Sequence, residues 1–474
     1  MSDALAHAIL AQLGRGRRAD DSLTFTGGGD PVFVTPWRVA EAGAAALGAV
    51  GLAVSDLWRL RAGKPQAVTI DRHAAAASLR SNTYVLQDGR KPVSWDPLAG
   101  HYPTRDGRVM FLHTNHPHHR AGALRIAGAV AETREALAAA VARWDGLAIE
   151  AAIADGNCVG GLVRSRDEWN AHPHGIAVAG LTLIDIVRIG DAPPRPLPKG
   201  DRPLSGVRAF DLTRVLAGPT SGRVLAENGA DVLHVAAPHL PYQTEILMDT
   251  GHGKRCAWID LREPAGIATM TALLREADVF TQGYRPGALA ARGFSPERVA
   301  ELRPGIVCVA ICAYGHAGPW ADRRGFDSIV QNVTGLSATQ GTLAKPRNLP
   351  VQALDYIAGY LGALGAMIGL ARRIEQGGSW LVRVSLVQVA HWLAGLGMVE
   401  ADKGRAELGE PELARYLMES DGPFGRLRHL KPVVQLSETQ PFYARPPEPL
   451  GSSPACWARV KPPAGSAEAT PGRR

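Results

Sequence analysis

Apolar and polar positions fall into blocks of different period along this chain. Between residues 204 and 312, short apolar runs (GVRAFDL, ADVLHVAAP, DVFTQGY, GIVCVAICAYG) alternate with segments such as TSGRVLAENG and AGIATMTALLREA, which read as helices. Strands alternating with helices of this length predict a parallel sheet with crossover helices, a doubly wound, Rossmann-like α/β domain. Ligands of such sheets bind beyond the carboxyl ends of the strands. That rule directs attention to the turns LTRVLAGP, TQGYRPG and CAYGHAGPW. Further on, PVQALDYIAGYLGALGAMIG at 350–369 predicts a buried helix of small and apolar residues in which Asp355 is the one charge.

The same helix pattern occurs twice. Residues 36–71 align without a gap on residues 350–385, so that Gly48-Ala49-Val50-Gly51 falls on Gly362-Ala363-Leu364-Gly365, Val68 on Val382 and Glu41 on Asp355. Each copy reads as a long small-residue helix, a Gly-containing turn and a strand, which suggests one ancestral unit present twice. Between the copies, IGDAPPRPLP at 189–198 forbids both helix and central strand and marks a linker. Beyond about residue 400 the chain turns rich in Pro, Gly and Arg, as in ARPPEPLGSSP, which reads as an extended arm.

At 474 residues, 46% hydrophobic and 20% charged, the chain has the balance of a soluble globular protein of two or three domains. Its apolar runs are broken before the length a membrane span needs, and the N-terminus lacks the order of a signal peptide, so a cytoplasmic protein without membrane contact is expected. The net charge of +7 comes mainly from scattered arginines. No basic stripe with interleaved aromatics points to nucleic acid, whereas an anionic small ligand suits scattered arginines. The five cysteines are far apart and form no CxxC pair, so free thiols are expected. The cluster His113-Thr114-Asn115-His116-Pro117-His118-His119 invites a metal reading, but Pro117 interrupts any helical ligand pair. Polar loop histidines are the simpler expectation, and no metal site is assigned.

Five motifs in register resemble the class III coenzyme A transferases, the family of formyl-CoA transferase, carnitine CoA-transferase and α-methylacyl-CoA racemase. They are GVRAFDLTRVLAGPTSGRVLAENGADVLHV, GKRCAWIDLREP, ADVFTQGYRPGALAARGF, AYGHAGPWADRRGFDSIVQNVTGLSATQG and LDYIAGYLGALGAMIGLARR, covering about residues 204–392. RSRDEWNAHPHGIAVAG and DGRVMFLHT resemble parts of that family's small C-terminal domain, here placed ahead of the nucleotide-type sheet. The resemblance implies a permuted or partly duplicated member. Residues 1–80 would be a degenerate copy of the catalytic helix-turn-strand, 81–190 a smaller α+β domain, 191–203 a Pro-rich linker, 204–400 the CoA-binding Rossmann-like domain and 401–474 a C-terminal arm.

By the same resemblance Asp355 is the covalent nucleophile, and no cofactor is bound permanently because CoA and acyl-CoA are substrates. An aspartate at the head of a helix suits this task. Its reference pKa of about 3.9 leaves it ionised at neutral pH, and first-turn N–H groups favour negative charge nearby. The family's CoA contacts carry over to Leu216 and Ala217, to Ile259, Asp260, Leu261 and Arg262, to Gly283, Tyr284 and Arg285, and to Arg324, Gly325, Phe326 and Asp327. The partners implied are an acyl-CoA, a carboxylic acid and a second copy of the chain in a homodimer. Departures exist as well. Ala236 and Ala237 stand where some members have a basic residue, and no glycine flap occurs between residues 80 and 105. Gly325-Phe326-Asp327 replaces the Gly-His-Asp of the racemases, and phenylalanine cannot move a proton. Racemisation of a 2-methylacyl-CoA and CoA binding without turnover are therefore the alternatives. Glu41 reads as structural, and His316 as a residue near the site without an assigned role.

Overall fold

The computed structural model describes residues 1–92 and 95–458. Strands β1 (Leu23–Thr26) and β2 (Val68–Asp71) are parallel and flank a 24-residue helix, Val39–Ala62. After β3 (Leu86–Gln87), strands β4 (Gly100–Pro103), β5 (Val109–Leu112) and β6 (Gly160–Leu162) form a small antiparallel sheet. Helices Pro117–Ala127, Arg134–Val141 and Gly146–Asp155 bury Leu124, Leu137, Val141 and Ile149 against it, which makes the smaller α+β body. Strand β7 (Asp185–Gly190) then leads into the proline-rich stretch, which carries no regular structure.

The main sheet follows with β8 (Arg208–Leu212), β9 (Asp231–Ala236), β10 (Arg255–Trp258), β11 (Val279–Gln282), β12 (Val307–Cys312) and β13 (Ser379–Ser385). Its order is β10-β9-β8-β11-β12-β13-β7, parallel throughout except for β7. The chain winds outward from β8 to β10, then reverses to place β11 on the other side of β8. That reversal opens a crevice beyond the carboxyl ends of β8 and β11.

Two long helices cover the sheets, and both owe their close packing to missing side chains. In the helix Ala353–Gln376, a Cβ on Gly365 would stand 2.3 Å from Val382 Cγ1 and one on Gly369 2.7 Å from Val307 Cγ1, so the helix lies directly on β12 and β13. In Val39–Ala62, a Cβ on Gly51 would stand 2.3 Å from Val68 Cγ1, the equivalent contact. Shifted by the offset of the sequence alignment, the two helices start and stop at the same residues, 39–62 and 353–376. Contrary to the sequence expectation, both are long and apolar enough to span a bilayer; here their apolar windows are entirely buried within the protein.

The two halves exchange strands. The antiparallel neighbour of β13 is β7, from the N-terminal half, while that of β2 is β16 (Gln435–Leu436), from the C-terminal end. The segment after residue 400 is therefore more than the expected arm. It carries a short helix, Glu410–Leu413, and then a hairpin, β14 (Leu417–Gly422) and β15 (Gly425–Leu430), whose second strand pairs with β3. Only after β16 does it run without regular structure past β10, where Glu448 Oε1 accepts from Cys256 N–H at 2.7 Å. The last part of the expected arm, 459–474, lies outside the described residues.

Candidate active site

Asp355 sits in the first turn of the helix Ala353–Gln376 and lines a cleft of about 320 Å³ at the sheet's switch point. The wall after β8 is Arg214, Val215, Leu216, Ala217 and Gly218, and the wall after β11 is Gly283, Tyr284, Arg285 and Pro286. Arg323, Arg324, Gly325 and Phe326 close the third side. Val215 holds φ at 67°, a left-handed backbone that a β-branched residue rarely adopts, at the point where the chain turns into the helix Ala217–Glu227. Gly359, one turn beyond Asp355, sets the spacing. A Cβ there would stand 2.6 Å from both Ala217 O and Thr220 Cβ.

A buried ion pair supports this wall from beneath. Lys254 Nζ donates to Asp211 Oδ2 at 2.8 Å and to the Pro219 carbonyl at 2.6 Å, tying β8 to the first turn of the helix Ala217–Glu227. Burial pushes the Asp211 carboxyl up, but Lys254 and His234 outweigh burial and hold it well below the usual range.

The carboxyl of Asp355 is nearly buried, with 7% of the residue exposed. Burial first, and then the neighbouring Asp327, raise its pKa well above the usual carboxylate value. Reading Asp355 from its reference pKa therefore overstated its ionisation, because desolvation disfavours the charged form. Asp327 Oδ2 accepts the Asp355 backbone N–H at 2.9 Å, and burial moves the Asp327 carboxyl up to about 6. The two acids lie close together, so charge on Asp327 disfavours ionisation of Asp355.

Of the residues expected at the CoA, Leu216, Ala217, Gly283, Tyr284, Arg285, Arg324, Gly325 and Phe326 share the cleft with Asp355. Five do not line it. Asp327 lies beneath the helix start and bonds to its backbone. Ile259, Asp260, Leu261 and Arg262 follow β10, two strands from β8, where Ile259 packs into the core and Arg262 pairs with Asp260 at 2.6 Å. His316 faces a second cavity of about 310 Å³, which meets the cleft at Tyr284, Arg285, Pro286 and Cys312.

The sequence reading missed His116, His118 and His119, which it took for polar loop residues. All three line the cleft, and His116 and His119 are buried. Their signal was the density of imidazoles in one short stretch, but nothing in the sequence linked that stretch to Asp355. Among the described residues, no three or more His, Cys, Asp or Glu side chains are placed to hold a metal ion. Glu41 matches Asp355 in position only: Ser2 Oγ donates to its carboxylate and Arg72 Nε lies 3.5 Å away. Those contacts give it a structural task.

Residues 204–421 match the model of CoA-transferase family III. The match spans β8 to β13 of the main sheet, the cleft walls after β8 and β11, and Asp355, in agreement with the resemblance read from the motifs. An acetyl-coenzyme A transferase of Hypoxylon pulicicidum is 29% identical over 349 residues, 68% of this chain and 56% of that protein. A succinate–glutarate CoA-transferase of Agrobacterium fabrum is 31% identical over 212 residues, 41% of this chain and 53% of that protein. The chain thus spans about half the length of the curated relatives it matches. A hypothetical protein from Mycobacterium tuberculosis, solved by crystallography, is 30% identical with a TM-score of 0.39, over 42% of this chain and 59% of that one.

Proposed function

We propose that this family III chain moves CoA from an acyl-CoA to a carboxylic acid through covalent intermediates on Asp355. The carrying observation is that Asp355 is, among the described residues, the one carboxylate lining a cleft that also presents Arg214, Arg285, Arg323 and Arg324. Guanidinium groups suit the CoA phosphates. A carboxylate held largely out of water suits, once ionised, attack on a thioester.

The sequence of bonds balances without an added reactant. An Asp355 oxygen bonds to the acyl carbonyl carbon as the C–S bond breaks, giving a mixed anhydride and CoA thiolate. The thiolate attacks the Asp355 carbonyl, releasing the first acid and leaving a CoA thioester on Asp355. The second acid's carboxylate attacks that thioester, forming a new anhydride, and the expelled thiolate takes the second acyl group and restores Asp355.

The names of the relatives suggest succinyl-CoA and glutarate as a first probe pair. We take the enzyme to work in the cytoplasm as a homodimer, which sedimentation of the purified chain tests. For the chemistry, the chain is incubated with succinyl-CoA and hydroxylamine and analysed by peptide mass spectrometry. A hydroxamate on Asp355 that is absent from Asp355→Ala is expected. An unmodified Asp355 together with no CoA exchange would overturn the proposal.

A further inference from the structure

The transfer chemistry leaves three cleft residues without a task. His116, His118 and His119 sit at the start of the helix Pro117–Ala127, with His116 as its N-cap residue, and they come from the smaller α+β body and not from the main sheet. Packing fixes them. His116 stacks on Phe326 with ring centroids 5.5 Å apart, His119 meets His116 edge-on at 5.8 Å, and His118 lies 4.0 Å from His119. His113 stacks on the same Phe326 ring at 4.3 Å. His119 is 3% exposed and its Nδ1 has no hydrogen-bond partner among the described residues. A buried polar atom without a partner costs about 1–3 kcal/mol, so a ligand that satisfies it binds with that advantage.

The chemistry of the cleft separates two kinds of anion site. The guanidinium groups of Arg214, Arg285, Arg323 and Arg324 are permanent cations with forked donors suited to phosphate. The imidazoles are held neutral, by burial first, then for His116 by Arg214 and His118 and for His119 by His118 and His116. A neutral imidazole offers one N–H donor and carries no net charge. For the acid that must attack the Asp355 thioester, this distinction decides the rate. A guanidinium fork would bind its carboxylate about twice as strongly and stabilise the charge that has to react. Neutral donors orient the carboxylate and leave it nucleophilic.

We propose that His116, His118 and His119 form the subsite for the acceptor acid's carboxylate, in the cleft that also holds Asp355. This rests on the transfer reading above. The acid enters ionised, two imidazole N–H groups donate to its oxygens, and one oxygen forms the new C–O bond to the thioester carbonyl as CoA thiolate leaves. The histidines are positioning residues and take no proton.

Steady-state transfer from succinyl-CoA to glutarate, measured in parallel with hydroxylamine trapping at Asp355, tests this. Hydroxylamine is neutral and needs no carboxylate subsite. His119→Ala and the more exposed His118→Ala are expected to raise the KM for glutarate about tenfold or more, the loss of a hydrogen bond to a charged group. Trapping rate and the KM for succinyl-CoA stay within about twofold. His119→Asn, which restores a short neutral N–H donor, recovers part of the glutarate KM. An unchanged glutarate KM overturns the subsite while leaving the transferase standing, and equal loss of trapping and transfer shows a merely structural role. Loss of α-proton exchange in acyl-CoA would instead make the imidazoles acid–base groups and also refute the proposal. Absence of trapping in the unaltered chain removes the transferase and the subsite together.

Discussion

Gly359→Ala probes how finely the cleft wall is set by the helix that carries Asp355. The new Cβ would lie 2.6 Å from Ala217 O and Thr220 Cβ, against ordinary contact from 3.4 Å upward, so the two helices must part by roughly 0.8 Å or strain locally. Overpacking of this kind costs about 1–3 kcal/mol, and alanine returns up to ~1 kcal/mol through its better helix propensity, leaving a net loss of about 1–2 kcal/mol. The functional effect is larger. Ala217 and Leu216 line the cleft one turn from Asp355, and a displacement near 1 Å at a reacting centre costs about a hundredfold. Gly369→Ala is the matched control. Its Cβ would meet Val307 Cγ1 at 2.7 Å, a similar clash, but far along the helix from the cleft. Chemical denaturation and kcat/KM for CoA transfer are compared for both variants. The expected result is similar destabilisation, with activity lost on the order of 10–100-fold only in Gly359→Ala. Equal activity in the two variants, or losses that track stability alone, would refute this account of the wall.

Three further outcomes follow from the buried charges and the repeated helix. Asp327→Asn removes the charge beside Asp355, so the acidic limb of the pH–kcat profile moves to lower pH. Because the raised carboxyl near 6 binds a proton that the unfolded chain loses near 3.9, stability falls as pH rises between those values, and the variant's pH-dependent Tm loses that slope. Lys254→Met takes the ammonium partner from buried Asp211, leaving His234 beside it, and costs about 3 kcal/mol in a denaturation curve, whereas the double change with Asp211→Leu recovers much of it. Gly51→Ala and Gly365→Ala meet equivalent valines at the same 2.3 Å and should cost similar amounts, about 1–3 kcal/mol each by thermal melting.

The sheet was legible because its strands are continuous apolar runs separated by helical patterns, a signal local to each element. Asp355 was legible for another reason: one charge on a helix of small residues stands out, and the motif order around it is specific. Its altered acidity was not legible, since it depends on Asp327 arriving beneath the first turn from 28 positions earlier. The same holds for Asp327 itself, whose carboxylate turns to the helix backbone instead of the cleft. Ile259 to Arg262 follow a strand end, as the other contact residues do, but on β10, two strands from β8, and they do not line the cleft that holds Asp355. The histidines were misjudged because a polar stretch near residue 116 gives no hint that tertiary folding carries it to a site otherwise built from residues 214 to 386.

The exchange of β7 and β16 bears on how the chain comes to be folded during synthesis. Residues 23–71 emerge early with their helix, yet the strand that completes their sheet, Gln435–Leu436, is made some 360 residues later. Until then the outer edge of β2 stands open, a template for pairing with another nascent chain. Contacts of such sequence separation close slowly, so the N-terminal half should remain susceptible to mispairing or proteolysis until Gln435–Leu436 has left the ribosome.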